Sequence, residues 1–146
     1  MSLPGVFNES GDLAVGIHRA TLAETMERFV GGPRRNIVAR RLERVYRLAQ
    51  RTGHVNRFIV FGSFVTAKLD PNDVDIFLLM DDSFDVERLS PELHLVFDHA
   101  AAQNVLGASV FWIRRAAALG GEDQTVAYWQ VKRDGTRRGI LEIIES

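Results

Sequence analysis

Two aspartates, Asp73 and Asp75, stand at i and i+2 at the mouth of an apolar run, ten residues after a Gly62-Ser63 pair that closes an earlier apolar run. Between them the chain reads Phe-Val-Thr-Ala-Lys-Leu-Asp-Pro-Asn. Successive side chains of a strand point to opposite faces, so the two carboxylates project together. Side by side they repel each other unless a cation lies between them. Hard oxygen ligands on a rigid strand suit Mg²⁺, or Mn²⁺ in its place, which takes one or two protein carboxylates and completes its shell with water and phosphate. A Gly-Ser turn at the start of a helix offers backbone N–H groups where phosphate binds. Metal and phosphate meeting in one place is the equipment of nucleotidyl transfer. Asp73 after Pro71-Asn72 is by itself ordinary turn chemistry. Asp75, flanked by Val74, Ile76, Phe77, Leu78 and Leu79, is expected to be buried, and a buried carboxylate needs a partner or a metal.

The elements that must position these residues are readable on either side. Arg57–Phe61 and Val74–Met80 are β-branched or aromatic and predict two strands. They are expected to pair, in parallel if the short connector 63–70 can serve as a crossover. Thr21-Leu-Ala-Glu24 is a capping box opening a helix to about Phe29. Pro33 suits the first turn of a second helix, over 34–52, whose apolar face is Ile37, Val38, Leu42, Val45, Leu48 and Ala49 and whose C′ glycine is Gly53. Ser90-Pro91 starts a third helix to about Asn104. Ala108–Ile113 is a third strand, Asp134-Gly135 a turn and Gly139–Ile144 a final strand. Residues 122–131 fit either a strand or a short helix, and 1–18 read as an irregular lead-in. The order of elements predicts one domain over 1–146, of α+β (α/β-like) class, with a small mixed sheet flanked by helices.

The chain has 146 residues, 46% hydrophobic and 25% charged, with no cysteine and a net charge of −1. This is ordinary globular composition, without a disulfide framework or thiolate metal site. No apolar run approaches the roughly 20 residues that span a bilayer, and no apolar N-terminal stretch suggests a signal peptide, so a cytoplasmic location is expected. His18, His54, His94 and His99 are scattered, with no spacing suited to joint metal ligation. The near-neutral charge hides segregation: residues 33–57 hold eight arginines against Glu43 alone, and residues 70–98 hold nine acids against Arg88 alone. Arg40, Arg44, Arg47 and Arg51 fall on one helical stripe, fit either to be a solvated face or to contact a nucleic-acid or protein partner.

Val60-Phe-Gly-Ser63 followed by Asp73-Val-Asp-Ile76 resembles the signature of the DNA polymerase β-type nucleotidyltransferase superfamily. More closely, Gly62–Lys68 with Pro71–Asp75 looks like a small bacterial and phage-associated family within it, and Arg133-Asp-Gly135 and Arg138–Ile143 share that likeness. The resemblance implies a nucleotidyltransferase fold in which Gly62 and Ser63 hold the phosphates of an NTP. Asp73 and Asp75 would be catalytic and bind Mg²⁺, and an acceptor hydroxyl on RNA, protein or a small molecule would take the NMP. Lys68 could reach phosphate or be a solvated lysine.

Active members of that superfamily carry a third carboxylate on the next core strand. Here that strand is best matched by Ala108–Ile113, with Ser109 where the acid is expected. A serine hydroxyl carries no charge and does not replace a carboxylate in assembling two cations. Asp98 or Glu142 could substitute only if the topology brings one in. A non-catalytic nucleotide-binding or protein-interaction module is therefore the competing expectation, and a nucleic-acid binder working through the basic helix is a third. Trp112, Trp129 and Tyr128 are read as core packing rather than base-stacking surfaces.

Overall fold

A computed structural model describes residues 7–145. Five strands form one mixed sheet in the order β1-β5-β2-β3-β4: β1 Ile17–Thr21, β2 Val55–Phe61, β3 Val74–Met80, β4 Ala108–Arg114 and β5 Ile140–Ile144. The outer pairs β1·β5 and β3·β4 are parallel, and the inner pairs β2·β5 and β2·β3 antiparallel. The α+β class and the mixed sheet are as the element order predicts. The parallel pairing of β2 and β3 that a crossover through 63–70 would have allowed does not form: they are antiparallel. Their connector makes a tight 3₁₀ turn at Ser63–Val65 and comes straight back, too short for a crossover. β1 also corrects the irregular lead-in over 1–18, since Ile17 and His18 pair with Ile140 and Leu141; residues 1–6 of that lead-in lie outside the described residues.

The helices form where their caps and periodicity place them. α1, Leu22–Phe29, opens on the complete capping box: Thr21 N donates to Glu24 Oε1 at 2.8 Å and Glu24 N to Thr21 Oγ1 at 3.1 Å. α2, Pro33–Gln50, buries Val38, Leu42, Val45, Leu48 and Ala49, while Ile37 lies half exposed at the edge of that face. Gly53 takes the left-handed conformation (φ 73°) two residues past the capping Arg51. The third helix is broken where one was expected. α3, Pro91–Phe97, stops at Asp98, which turns extended and caps the short α4, His99–Ala101, through its carboxylate. A π-turn then runs to Leu106 and ends at left-handed Gly107. The ambiguous 122–131 segment is a helix, α5 Glu122–Tyr128.

The strands split their side chains by parity. Phe58, Val60, Ile76, Leu78, Ala108, Val110, Leu141 and Ile143 face the main core, beside buried side chains of α1, α2 and α3. Ile59, Phe77, Leu79 and Ile140 face the opposite side, where Val126 of α5 joins them in a smaller cluster. Asp75, two residues before Phe77, belongs to that second face. Among the described residues no helix is long and apolar enough to cross a membrane.

Candidate functional site

Asp75 sits between two partners in register: Phe61, the last residue of β2, and Ser109, the second residue of β4. Gly62 therefore begins its turn directly over the Asp75 carboxylate. A Cβ built on Gly62 would overlap Asp75 Oδ2, and its φ of 81° is one that L side chains rarely adopt. Only glycine lets the backbone pass this close. Within the turn, Val65 N bonds Gly62 O and Thr66 N bonds Ser63 O, so the amides of Ser63 and Phe64 precede its own ladder.

The turn is held from behind by a residue that the sequence counted only as one of the eight arginines of 33–57. Arg35 is buried, and its guanidinium donates to the carbonyls of Phe29, Phe64, Thr66 and Lys68 at 3.1, 2.7, 2.6 and 3.1 Å. One α2 side chain thus fixes the whole connector after the Gly-Ser pair. The signal was present: Arg35 shares the helical face of Val38, Leu42 and Val45. Lys68 contributes its carbonyl to this arrangement, while its side chain is exposed and outside the cavity lining.

A cavity of about 430 Å³ opens over Asp75. Its acidic end holds the predicted third-position residue: Ser109 Oγ donates to Asp73 Oδ2 at 3.0 Å and accepts from Gln103 Nε2 at 3.2 Å. Burial and the neighbouring Asp73 carboxylate push the Asp75 carboxyl up to about 6, against a partial pull downward from Arg138 and Arg133. Neither alternative acid reaches this end. Asp98 caps α4, and Glu142 is held by Arg57 at 2.7 Å and Arg19 at 3.3 Å. Among the described residues no three His, Cys, Asp or Glu side chains gather as a metal-binding group. The Asp73 and Asp75 carboxylates, which form no ion pair among the described residues, are nevertheless a donor set that fits one Mg²⁺, which needs only one or two protein carboxylates.

The opposite wall is aromatic and basic, and most of it was not anticipated. Trp129 lies against Phe61, Phe77 and Phe111 with centroids 4.6, 5.0 and 5.3 Å apart, and Tyr128 edges onto it. Trp112 instead packs in the main core, its indole N–H donating to Phe97 O at 2.9 Å, as core packing predicts. Beyond Trp129 the turn 131–138 brings Lys132, Arg133 and Arg138 to the cavity. Buried Gln130 anchors this turn by accepting from Gly16 N at 2.6 Å. Lys132 is engaged with Asp12 at 3.0 Å, whereas Arg138 Nε is buried without a hydrogen-bond partner among the described residues. The likeness at 133–135 and 138–143 covered these arginines without giving them a role, and residue spacing gave none, because a loop far along the chain supplies them.

The profile of a family of unknown function, DUF6932, matches residues 6–144 of this chain. Neither the curated proteins nor the solved structures contain a match.

Proposed function

We propose that this chain, which belongs to that family of unknown function, binds a nucleoside triphosphate with Mg²⁺ in the cavity over Asp75 and transfers its NMP to an acceptor hydroxyl. The observation that carries the reading is the stacking of Gly62 on the Asp75 carboxylate, which puts a phosphate-sized backbone turn and a paired-carboxylate site on the same strand ends. Asp73 and Asp75 would hold the cation, which when bound neutralises phosphate charge and orients the triphosphate. The Ser63 and Phe64 amides and the Ser63 hydroxyl face the task of holding phosphate oxygens. Arg133 and Arg138 supply positive charge on the far side of the same cavity, and Arg138 Nε has a hydrogen bond to give. The aromatic wall offers a flat apolar surface to a base. The acceptor oxygen forms its bond to the α-phosphorus as the bond to the bridging oxygen breaks. Pyrophosphate leaves, and the acceptor proton passes to solvent.

One observation favours a second reading, nucleotide binding without turnover: the strand neighbour of Asp75 is Ser109, a neutral hydroxyl already committed to Asp73. Calorimetric titration with ATP and Mg²⁺ tests the shared premise, and incubation with labelled NTPs, Mg²⁺ or Mn²⁺ and RNA or protein acceptors separates the two. Binding and label transfer, both lost in Asp73→Asn/Asp75→Asn, are the expected results. Binding without transfer selects the second reading. Absence of binding overturns both.

A further inference from the structure

Behind the carboxylate end lies a second cleft, about 480 Å³, walled on one side by Arg40, Arg41 and Arg44 of α2 and on the other by the π-turn with Gln103 and Asn104. No acidic residue lines it. The basic stripe expected on α2 is thereby divided in two. Arg47 is paired with Glu43 at 2.9 Å and Arg51 with Glu92 at 3.1 Å, while Arg40 and Arg44 are exposed and pair with no acid among the described residues. Arg41 is seated: its side chain lies across Gly107, where a Cβ would fall 2.7 Å from both Cδ and Nε, and its Nη1 reaches Asn72 O at 3.4 Å.

The cleft touches the carboxylate site at two points. Asn72 directly precedes Asp73, and Gln103 lines both cavities while donating to Ser109, which donates to Asp73. Guanidinium groups without counter-ions, flanked by side-chain amides that donate and accept, match a chain of phosphates and sugar oxygens. A protein partner would need carboxylates spaced to meet three arginines along one helix face; a nucleic-acid backbone presents such charges at regular intervals.

The geometry points to the Arg40–Arg41–Arg44 cleft as the docking groove for the sugar-phosphate backbone of a single-stranded nucleic acid, whose end is led past Gln103 to the cavity over Asp75. This rests on the nucleotidyl-transfer reading and names the acceptor class for it. Arg47 and Arg51 lie outside the groove.

The test is fluorescence anisotropy of labelled single-stranded RNA and DNA oligonucleotides on the full chain, at several salt concentrations. The wild-type chain is expected to bind with affinity that falls steeply with salt. Arg40→Glu/Arg44→Glu should weaken it roughly tenfold or more and flatten the salt slope by about two phosphate contacts. Arg47→Ala/Arg51→Ala should leave it within about twofold. An oligonucleotide ending in 4-thiouridine should crosslink on irradiation to the aromatic wall of the cavity. Unchanged affinity in Arg40→Glu/Arg44→Glu, no binding by the wild-type chain, or a crosslink confined to other surfaces each overturns the proposal. Calorimetry of Mg–ATP on Arg40→Glu/Arg44→Glu keeps the two ideas apart. Retained ATP binding with lost oligonucleotide binding is the expected pair. Oligonucleotide binding by a wild-type chain that binds no ATP removes the nucleotide site while leaving the groove.

Discussion

The two faces of the sheet are built from alternate residues of the same strands, yet they differ in almost every physical respect. The even-numbered side chains of β2, β3 and β4 and the odd-numbered ones of β5 enter the main core: Phe58, Val60, Ile76 and Leu78 are at most 1% exposed. The other parity carries every charged group of the central strands β2, β3 and β5: Arg57, Asp75 and Glu142. It is covered only in part by α5 and the turn after it. On the closed face stability comes from burying apolar area. On the open face Arg57 and Glu142 satisfy each other, while Asp75 is left beside a second carboxylate. One face holds the fold together, and the other gathers the charged groups of the central strands.

The largest expected effect lies on the closed face. Phe58→Ala should cost about 3–5 kcal/mol in urea unfolding, because it empties a fully packed position. It should leave Mg–ATP affinity unchanged wherever the variant remains folded. Asp75→Asn should invert that pattern, cutting labelled-nucleotide transfer about a hundredfold or more while leaving the fold intact. The same carboxyl gives a pH signature. Its folded value of about 6 lies above its ordinary 3.8, so its protonated form favours the folded state. The stability it contributes is full below the ordinary carboxylate range and is lost as pH rises through about 6. Since solvent reaches this side chain, the loss should be on the order of 1–2 kcal/mol. Thermal melts between acid and neutral pH should show the decline in the wild-type chain, its absence in Asp75→Asn and its reversal by Mg²⁺. Gly62→Ala is expected to combine a smaller stability loss, about 1–2 kcal/mol from the left-handed backbone, with loss of Mg–ATP binding through displacement of Asp75. Retained binding would separate the turn from the carboxylate site.

Much of this contrast was written locally in the chain. Val74–Met80 is apolar at every position but one, which is the pattern of a strand buried on both faces with a single exception at Asp75. The capping box at Thr21–Glu24 and the Ser90-Pro91 start also depend on a few adjacent residues and were legible for that reason. What could not be read depends on distant partners. β1 is a strand because β5 lies beside it, although its own residues, Ile-His-Arg-Ala-Thr, show weak alternation. Arg35 is structural because four carbonyls converge on it from α1 and the connector. Arg133 and Arg138 reach the cavity because Gln130 ties their turn to Gly16, 114 residues earlier in the chain. Ser109 was singled out in sequence by its place on the 108–113 strand, and the register makes it the neighbour of Asp75. That it already bonds Asp73 is a tertiary fact.

The smallest expected effect tests whether the open face is mainly a binding surface. Phe111 is 39% exposed on β4, its ring 5.3 Å from Trp129 and 5.0 Å from His99. Because more than a third of its surface stays in water on folding, Phe111→Ala should cost about 1–2 kcal/mol of stability, below the cost at Phe58. Its ring completes the aromatic wall beside Asp75, where stacking on a base is worth about 1–3 kcal/mol. Affinity for Mg–ATP should therefore fall about fivefold or more, while affinity for Mg-triphosphate without a base stays the same. A stability loss as large as that of Phe58→Ala would make Phe111 a core residue and erase the contrast between the faces. An equal loss of affinity for ATP and for bare triphosphate would move the base away from this wall.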